Sequence, residues 1–140
     1  MDTVIVERLK SLWNELAYLK SERAQAGTLP DYVASMRQRR AVERSLQVCI
    51  EICLDIGRRI IAIEELQIPD DNQSVFRILH DARIVPDQLV PSLLDMARFR
   101  NLIVHDYARI DDAIVYSILL NRLADFESFA DAVRGYLSRA

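Results

Sequence analysis

The sequence predicts an all-α fold, an up-and-down helical bundle of about five helices in a single domain over residues 1–140. Three observations predict it. Only 3 residues are Gly and 4 are Pro, so few positions interrupt regular structure. Apolar residues recur three and four apart along most of the chain, the spacing that gathers them on one face of a helix. The period-two alternation of a half-buried strand persists nowhere. A chain of 140 residues is long enough for one proper core. Its 51% hydrophobic and 28% charged residues describe a folded, soluble chain rather than a disordered one.

The first helix is expected over residues 3–24. Ile5, Leu9, Leu12, Trp13, Leu16 and Leu19 form its apolar stripe. Asp2 or Thr3 can accept hydrogen bonds from the first turn, and Gly27 with the segment 28–30 ends the helix. The second helix starts near Asp31 and continues to Leu66, an unusually long span with no Pro after its start. Val42, Leu46, Cys49, Ile50, Cys53, Ile60 and Ile61 keep one face apolar. Gly57 is its weak point, at a cost of about 1 kcal/mol relative to Ala in a helix interior. It marks either a bend or the close approach of another helix. Residues 68–74 form a turn, where Pro69 stops one helix and the Asp, Asn and Ser cluster caps the next. A short third helix follows over 73–82, with Val75, Phe76 and Leu79 inward. Pro86 or Asp87 opens the fourth, and Pro91 falls in or just past its first turn, where a lost N–H matters least. Leu93, Leu94, Met96, Ala97 and Phe99 pack it. The fifth starts at Asp111 or Asp112 and runs to about 137, with Ile114, Val115, Ile118, Leu119, Leu123, Phe126, Phe129 and Val133 inward.

The net charge of −3 excludes a global basic field. Any nucleic-acid contact therefore has to come from local Arg clusters. Arg37, Arg40 and Arg44 form a row at i, i+3 and i+7 that is either a solvated face or a track for a phosphate backbone. Arg58 and Arg59 form a second cluster. The first ten residues carry Asp2, Glu7 and Arg8, unlike a secretory leader, and no apolar run approaches a membrane span. Cys49 and Cys53, four apart on an apolar stripe, read as buried thiols. With His80 and His105 as the only histidines, no metal-ligand set forms around them. The expectation is a reducing, cytoplasmic setting with no metal and no cofactor. His80 has no motif around it and reads as a surface or internally satisfied side chain. Asp55 lies beside the apolar stripe. It is either a partly exposed helix carboxylate or one that orients Arg100 or His105.

The chemistry concentrates in residues 97–107, ARFRNLIVHDY. Arg100 offers a planar fork of donors for phosphate oxygens. His105 carries the side chain that exchanges protons near neutral pH. Asn101 stands beside the Arg, and Tyr107 follows two residues after the His. Leu102, Ile103 and Val104 lie between them, so a polar set is embedded in an apolar run, which costs free energy unless the polar groups are satisfied or used. A helix turns about 100° per residue. Arg100 and Tyr107 then nearly share a face, while His105 points about 140° away from Arg100. Either the helix ends at about Val104 and His105 turns back, or a second copy completes the site. An Arg and a His at a helix end can also be no more than a cap and a dipole partner.

Residues 100–107, Arg-Asn-Leu-Ile-Val-His-Asp-Tyr, match the Arg-x4-His-x-Tyr signature, and the chain resembles the HEPN-domain toxins of the HepT type. Arg40-Ala41-Val42-Glu43-Arg44, Leu54-Asp55-Ile56-Gly57 and residues 110–116 support the likeness, which spans nearly the whole chain. The resemblance implies a homodimer in which two motifs face each other across a cleft. It implies a toxin of a type VII toxin–antitoxin pair that cleaves RNA without metal, the ribose 2′-OH attacking the neighbouring phosphate. His105 would be general base, general acid or both. Arg100 would hold the phosphate, with Asn101 in support. The implied partner is an MNT-type nucleotidyltransferase antitoxin that transfers AMP onto Tyr107 and so blocks the cleft. Two other readings stand beside this one. In one, the bundle is a non-catalytic binding module that docks a nucleotidyltransferase; in the other, it is a purely structural dimer. The complete set of Arg100, His105 and Tyr107 favours the nuclease, and the acidic net charge favours the module.

Overall fold

The computed structural model describes residues 2–139 and is all helical among them. Seven α-helices are present among the described residues, rather than about five. They are α1 (Thr3–Gln25), α2 (Leu29–Ala34), α3 (Met36–Ile63), α4 (Asn72–Asp81), α5 (Val90–His105), α6 (Asp112–Asn121) and α7 (Leu123–Arg139). Single 3₁₀ turns precede and follow α5, at Asp87–Leu89 and Tyr107–Arg109.

The two additional helices come from breaks within expected single helices. The first falls at Ser35, whose backbone is extended at φ −99° and ψ 96° and whose hydroxyl accepts from the Gln38 N–H. That bond caps α3 and leaves the six-residue α2 as a separate turn. α2 has its own reciprocal cap between Thr28 and Asp31. The second break falls at Arg122, φ −120° and ψ 3°. Its guanidinium is held by Asp125 at 2.8 Å and Ser92 at 3.1 Å. The other boundaries follow their local signals. Asp2 caps α1, Asp71 caps α4 in a reciprocal pair with Ser74, and Asp111 caps α6.

α3 is the central rod, with α1, α4 and α5 as its principal neighbours. Ile5, Leu12, Leu16 and Leu19 of α1 meet Val42, Leu46, Cys49 and Cys53 of α3 in one continuous core, together with Phe76 of α4 and Phe129 of α7. Each such side chain contributes about 1.5–3 kcal/mol when fully buried. Three expected core residues lie outside it, the half-buried Leu94 among them. Trp13 is exposed, with the Arg134 guanidinium 5.0 Å from its ring centre, and Ile114 is 58% exposed. Cys49 and Cys53 are buried free thiols, and burial pushes both well above the ordinary thiol range.

Gly57 marks a close approach rather than a bend. A Cβ there would lie 2.6 Å from Val75 Cγ1 and 3.1 Å from Leu79 Cδ1, both on α4. A β-branched side chain in a helix has little rotamer freedom with which to yield. Gly57→Ala gains about 1 kcal/mol of helix propensity and loses about 1–3 kcal/mol to overpacking. We expect a lower melting temperature by a few degrees in a calorimetric scan; a variant as stable as the parent would mean that α4 can retreat.

Candidate active site

The end of α5 carries the motif. α5 stays helical through His105, so His105 does not turn back toward Arg100. The two therefore lie about 140° apart around one continuous helix. Asp106 ends it at φ −149° and ψ 54°, its N–H donating to the Leu102 carbonyl at 2.9 Å. The chain then makes the tight turn at Tyr107–Arg109, which Arg109 braces with a 3.1 Å ion pair to Asp106.

Arg100 is half-buried on the side of α5 that faces α3. Its Nε donates to Glu51 Oε1 at 3.3 Å, and its Nη1 makes a longer 3.5 Å contact with Asn101 Oδ1. Asn72 of α4 donates to that same Asn101 oxygen at 2.9 Å, and Arg58 of α3 in turn donates to Asn72. Gln47 donates to Glu51 at 3.0 Å. These bonds tie α3, α4 and α5 around an open cleft lined by Glu51, Leu54, Asp55, Arg58, Asn72 and Arg100. Asn101 thus holds a fixed place between Arg100 and α4. His105 is exposed at the helix end, with no hydrogen-bond or ion-pair partner among the described residues.

Tyr107 is 55% exposed, yet its hydroxyl donates to Glu43 Oε1 of α3 at 2.6 Å. That distance is typical of a phenol donating to a carboxylate. The bond to Glu43 holds the phenol above its ordinary range. Partial burial adds to this, while Arg40 and Arg39 pull the other way.

The Arg row divides. Arg37 is drawn to α1, where its two terminal nitrogens reach Glu22 at 3.0 and 3.3 Å. Arg40 and Arg44 are exposed with no carboxylate partner among the described residues, and Arg40 lies close enough to act on Tyr107. Asp55 does not orient the motif: it is exposed and meets Arg8 of α1 at 3.5 Å. The carboxylate that holds the motif Arg is Glu51, one turn earlier on α3. His80 is satisfied by Asp87 at 2.5 Å. Among the described residues no group of His, Cys, Asp and Glu could hold a metal ion, and no helix is long and apolar enough to cross a membrane.

The family model for "Ribonuclease HepT-like" proteins matches residues 5–133, nearly the whole chain. The chain belongs to this family. Its HepT-like relatives include an mRNA nuclease HepT of Shewanella oneidensis, 33% identical over 90 residues, 64% of this chain and 68% of that protein. A tRNA nuclease HepT of Aphanizomenon flos-aquae is 26% identical over 138 residues, 98% of this chain and 92% of that protein. Among solved structures, the chain is similar to a tri-AMPylated Shewanella oneidensis HEPN toxin in complex with MNT antitoxin, with TM-score 0.88 and 24% identity over 96% of this chain and 99% of that one. A second similar fold is that of YutE, a cytosolic protein of unknown function from Bacillus subtilis. It has TM-score 0.73 and 21% identity, over 93% of this chain and 90% of that one. At these identities the structural likeness establishes the HEPN fold. The HepT-like signature residues Arg100, His105 and Tyr107 all sit on or just past one helix end. Glu43, Glu51, Asn72 and Arg58 complete their surroundings, and the motif itself gave no sign of them.

Proposed function

We propose that this HepT-like chain is a metal-independent endoribonuclease, the toxin of a type VII HEPN/MNT pair. The supporting observation is the contrast between its two motif cations. Arg100 is anchored through Nε alone to Glu51, which leaves its outer nitrogens available to phosphate oxygens apart from the long Asn101 contact. His105 stands exposed and unpartnered one and a half turns on. One is a placed charge and the other a proton carrier able to meet a substrate.

Because the two point about 140° apart on one helix, the working site is a homodimer cleft with two α5 ends opposed. The ribose 2′-oxygen attacks the adjacent phosphorus, the bond from phosphorus to the 5′-oxygen breaks, and a cyclic phosphate is left. His105 takes the 2′ proton or supplies one to the leaving oxygen, and the two copies of His105 can divide these tasks. Arg100 faces the charge that develops on phosphorus-bound oxygen, and Arg40 and Arg44 contact the flanking backbone. An MNT-type nucleotidyltransferase silences the site by attaching AMP to Tyr107. The added negative charge competes with RNA for the nearby guanidinium groups.

The test is one purified sample with two readouts. Light scattering should give twice the chain mass, and the sample should cut single-stranded RNA in excess chelator while leaving the 2′-deoxy counterpart intact. A monomer, or cleavage that stops with the chelator, contradicts the reading.

A further inference from the structure

Two carboxylates are buried among the described residues, Glu22 and Glu43, each 5% exposed, and they are satisfied in different ways. Glu22 accepts from Tyr18, from Gln38 and from both terminal nitrogens of Arg37. These bonds, that of Arg37 above all, hold its carboxyl below the usual range against the effect of burial. Glu43 has no such clamp. Its one hydrogen bond among the described residues is the Tyr107 phenol, and no cation lies within ion-pair distance of it there. A guanidinium clamp weakens a carboxylate's hold on a proton. A buried carboxylate kept for stability alone is better clamped, or replaced by an apolar side chain. Glu43 instead faces a hydroxyl whose other side opens to solvent.

A second phenol is nearby. Tyr32 of α2 is fully buried, its hydroxyl has no hydrogen-bond partner among the described residues, and burial above all, then the Glu43 charge, keeps it protonated.

We infer that Glu43 is the proton acceptor for Tyr107 when AMP is transferred to it, an assignment that rests on the AMP switch proposed above. The Tyr107 oxygen attacks the α-phosphorus of ATP bound to the transferase. The new O–P bond forms, the bond from the α-phosphorus to the oxygen bridging to the β-phosphate breaks, and pyrophosphate leaves with that electron pair. The phenol proton passes to Glu43 Oε1 as the new bond forms. Free phenolate is scarce at neutral pH, so the proton has to be taken in the course of the reaction. Afterwards Glu43 returns the proton to water. Tyr107 can then no longer donate to it.

The experiment measures AMP incorporation from ATP into the full chain by an MNT-type nucleotidyltransferase. The initial rate at Tyr107 is read by peptide mass spectrometry. Glu43→Gln keeps an oxygen that accepts the phenol's hydrogen bond but cannot hold its proton. It should lower the maximal rate about 10²-fold with the KM for the chain unchanged, and Glu43→Asp should recover part of the loss. The wild-type maximal rate should also fall in D₂O, a measurement that needs no variant. A Glu43→Gln chain modified at the wild-type rate, or no effect of D₂O, overturns the assignment alone. A wild-type chain that takes no AMP overturns the switch as well.

Discussion

His105→Ala should remove about 10²–10⁴-fold of the RNA cleavage rate, the usual loss when a general acid or base is deleted. The fold should be untouched. His105 is exposed, contacts no hydrogen-bond partner among the described residues, and ends its helix where Asp106 already supplies the cap. Substitutions at such surface positions shift stability by about 0.5 kcal/mol or less. Arg100→Ala should be comparably inactive by a different route, losing charge stabilisation on the phosphate. It frees Glu51, which is 34% exposed at its side chain and can be hydrated, so the chain should still fold. Arg100→Lys should not rescue, since an ammonium cannot donate side-on to Glu51 while presenting a planar fork outward. Initial rates on a single-stranded RNA, with melting curves alongside, give the answer. Folded His105→Ala and Arg100→Ala chains that both cut at the parent rate would remove the nuclease assignment.

Tyr107→Phe should abolish silencing by the nucleotidyltransferase while much of the cleavage activity remains. The substitution deletes one oxygen. On the proposed reading that oxygen is the acceptor of AMP, whereas cleavage would draw its proton transfer from His105 and its charge from Arg100. The stability cost should be small but not zero. Glu43, 5% exposed, loses its one hydrogen-bond partner among the described residues, a cost of about 1–3 kcal/mol before relaxation. Intact-mass spectra after incubation with ATP and catalytic amounts of antitoxin should show added AMP on the parent and none on the variant. AMP found on Tyr18, Tyr32, Tyr116 or Tyr136, or a Phe variant silenced as readily as the parent, would refute the switch.

What could be read from the sequence follows from how local each cause is. The apolar spacing located the helices because it repeats within each one, and Asp2, Asp71 and Asp111 marked starts because an N-cap acts within three residues. The break at Arg122 has no such mark. Neither Gly nor Pro stands there, and the guanidinium at the break is held in part by Ser92, thirty residues earlier. Ser35 is a good cap in principle, but many serines inside helices cap nothing. Trp13 and Ile114 matched the apolar period and still lie outside the core, because a stripe is wider than the surface available to cover it. At the candidate site, Arg100, Asn101, His105 and Tyr107 were legible as a short contiguous motif. Their carboxylate partners were not. Glu51 and Glu43 are 49 and 64 residues from the side chains they hold, and choosing Glu51 over Asp55 requires knowing which turn of α3 faces α5.

α3 carries both of those carboxylates on one uninterrupted helix, eight residues and so about 12 Å apart along its axis. Inserting or deleting one residue between them would rotate one against the other by about 100°, and Tyr107 and Arg100 could not both be reached. The spacing from 43 to 51 is therefore a fixed ruler, and sequence drift can change letters within it but not their number. The connection between α3 and α4 has no such constraint. Its exposed Ile68 touches neither group, and length can vary there without disturbing the register of the two motif side chains.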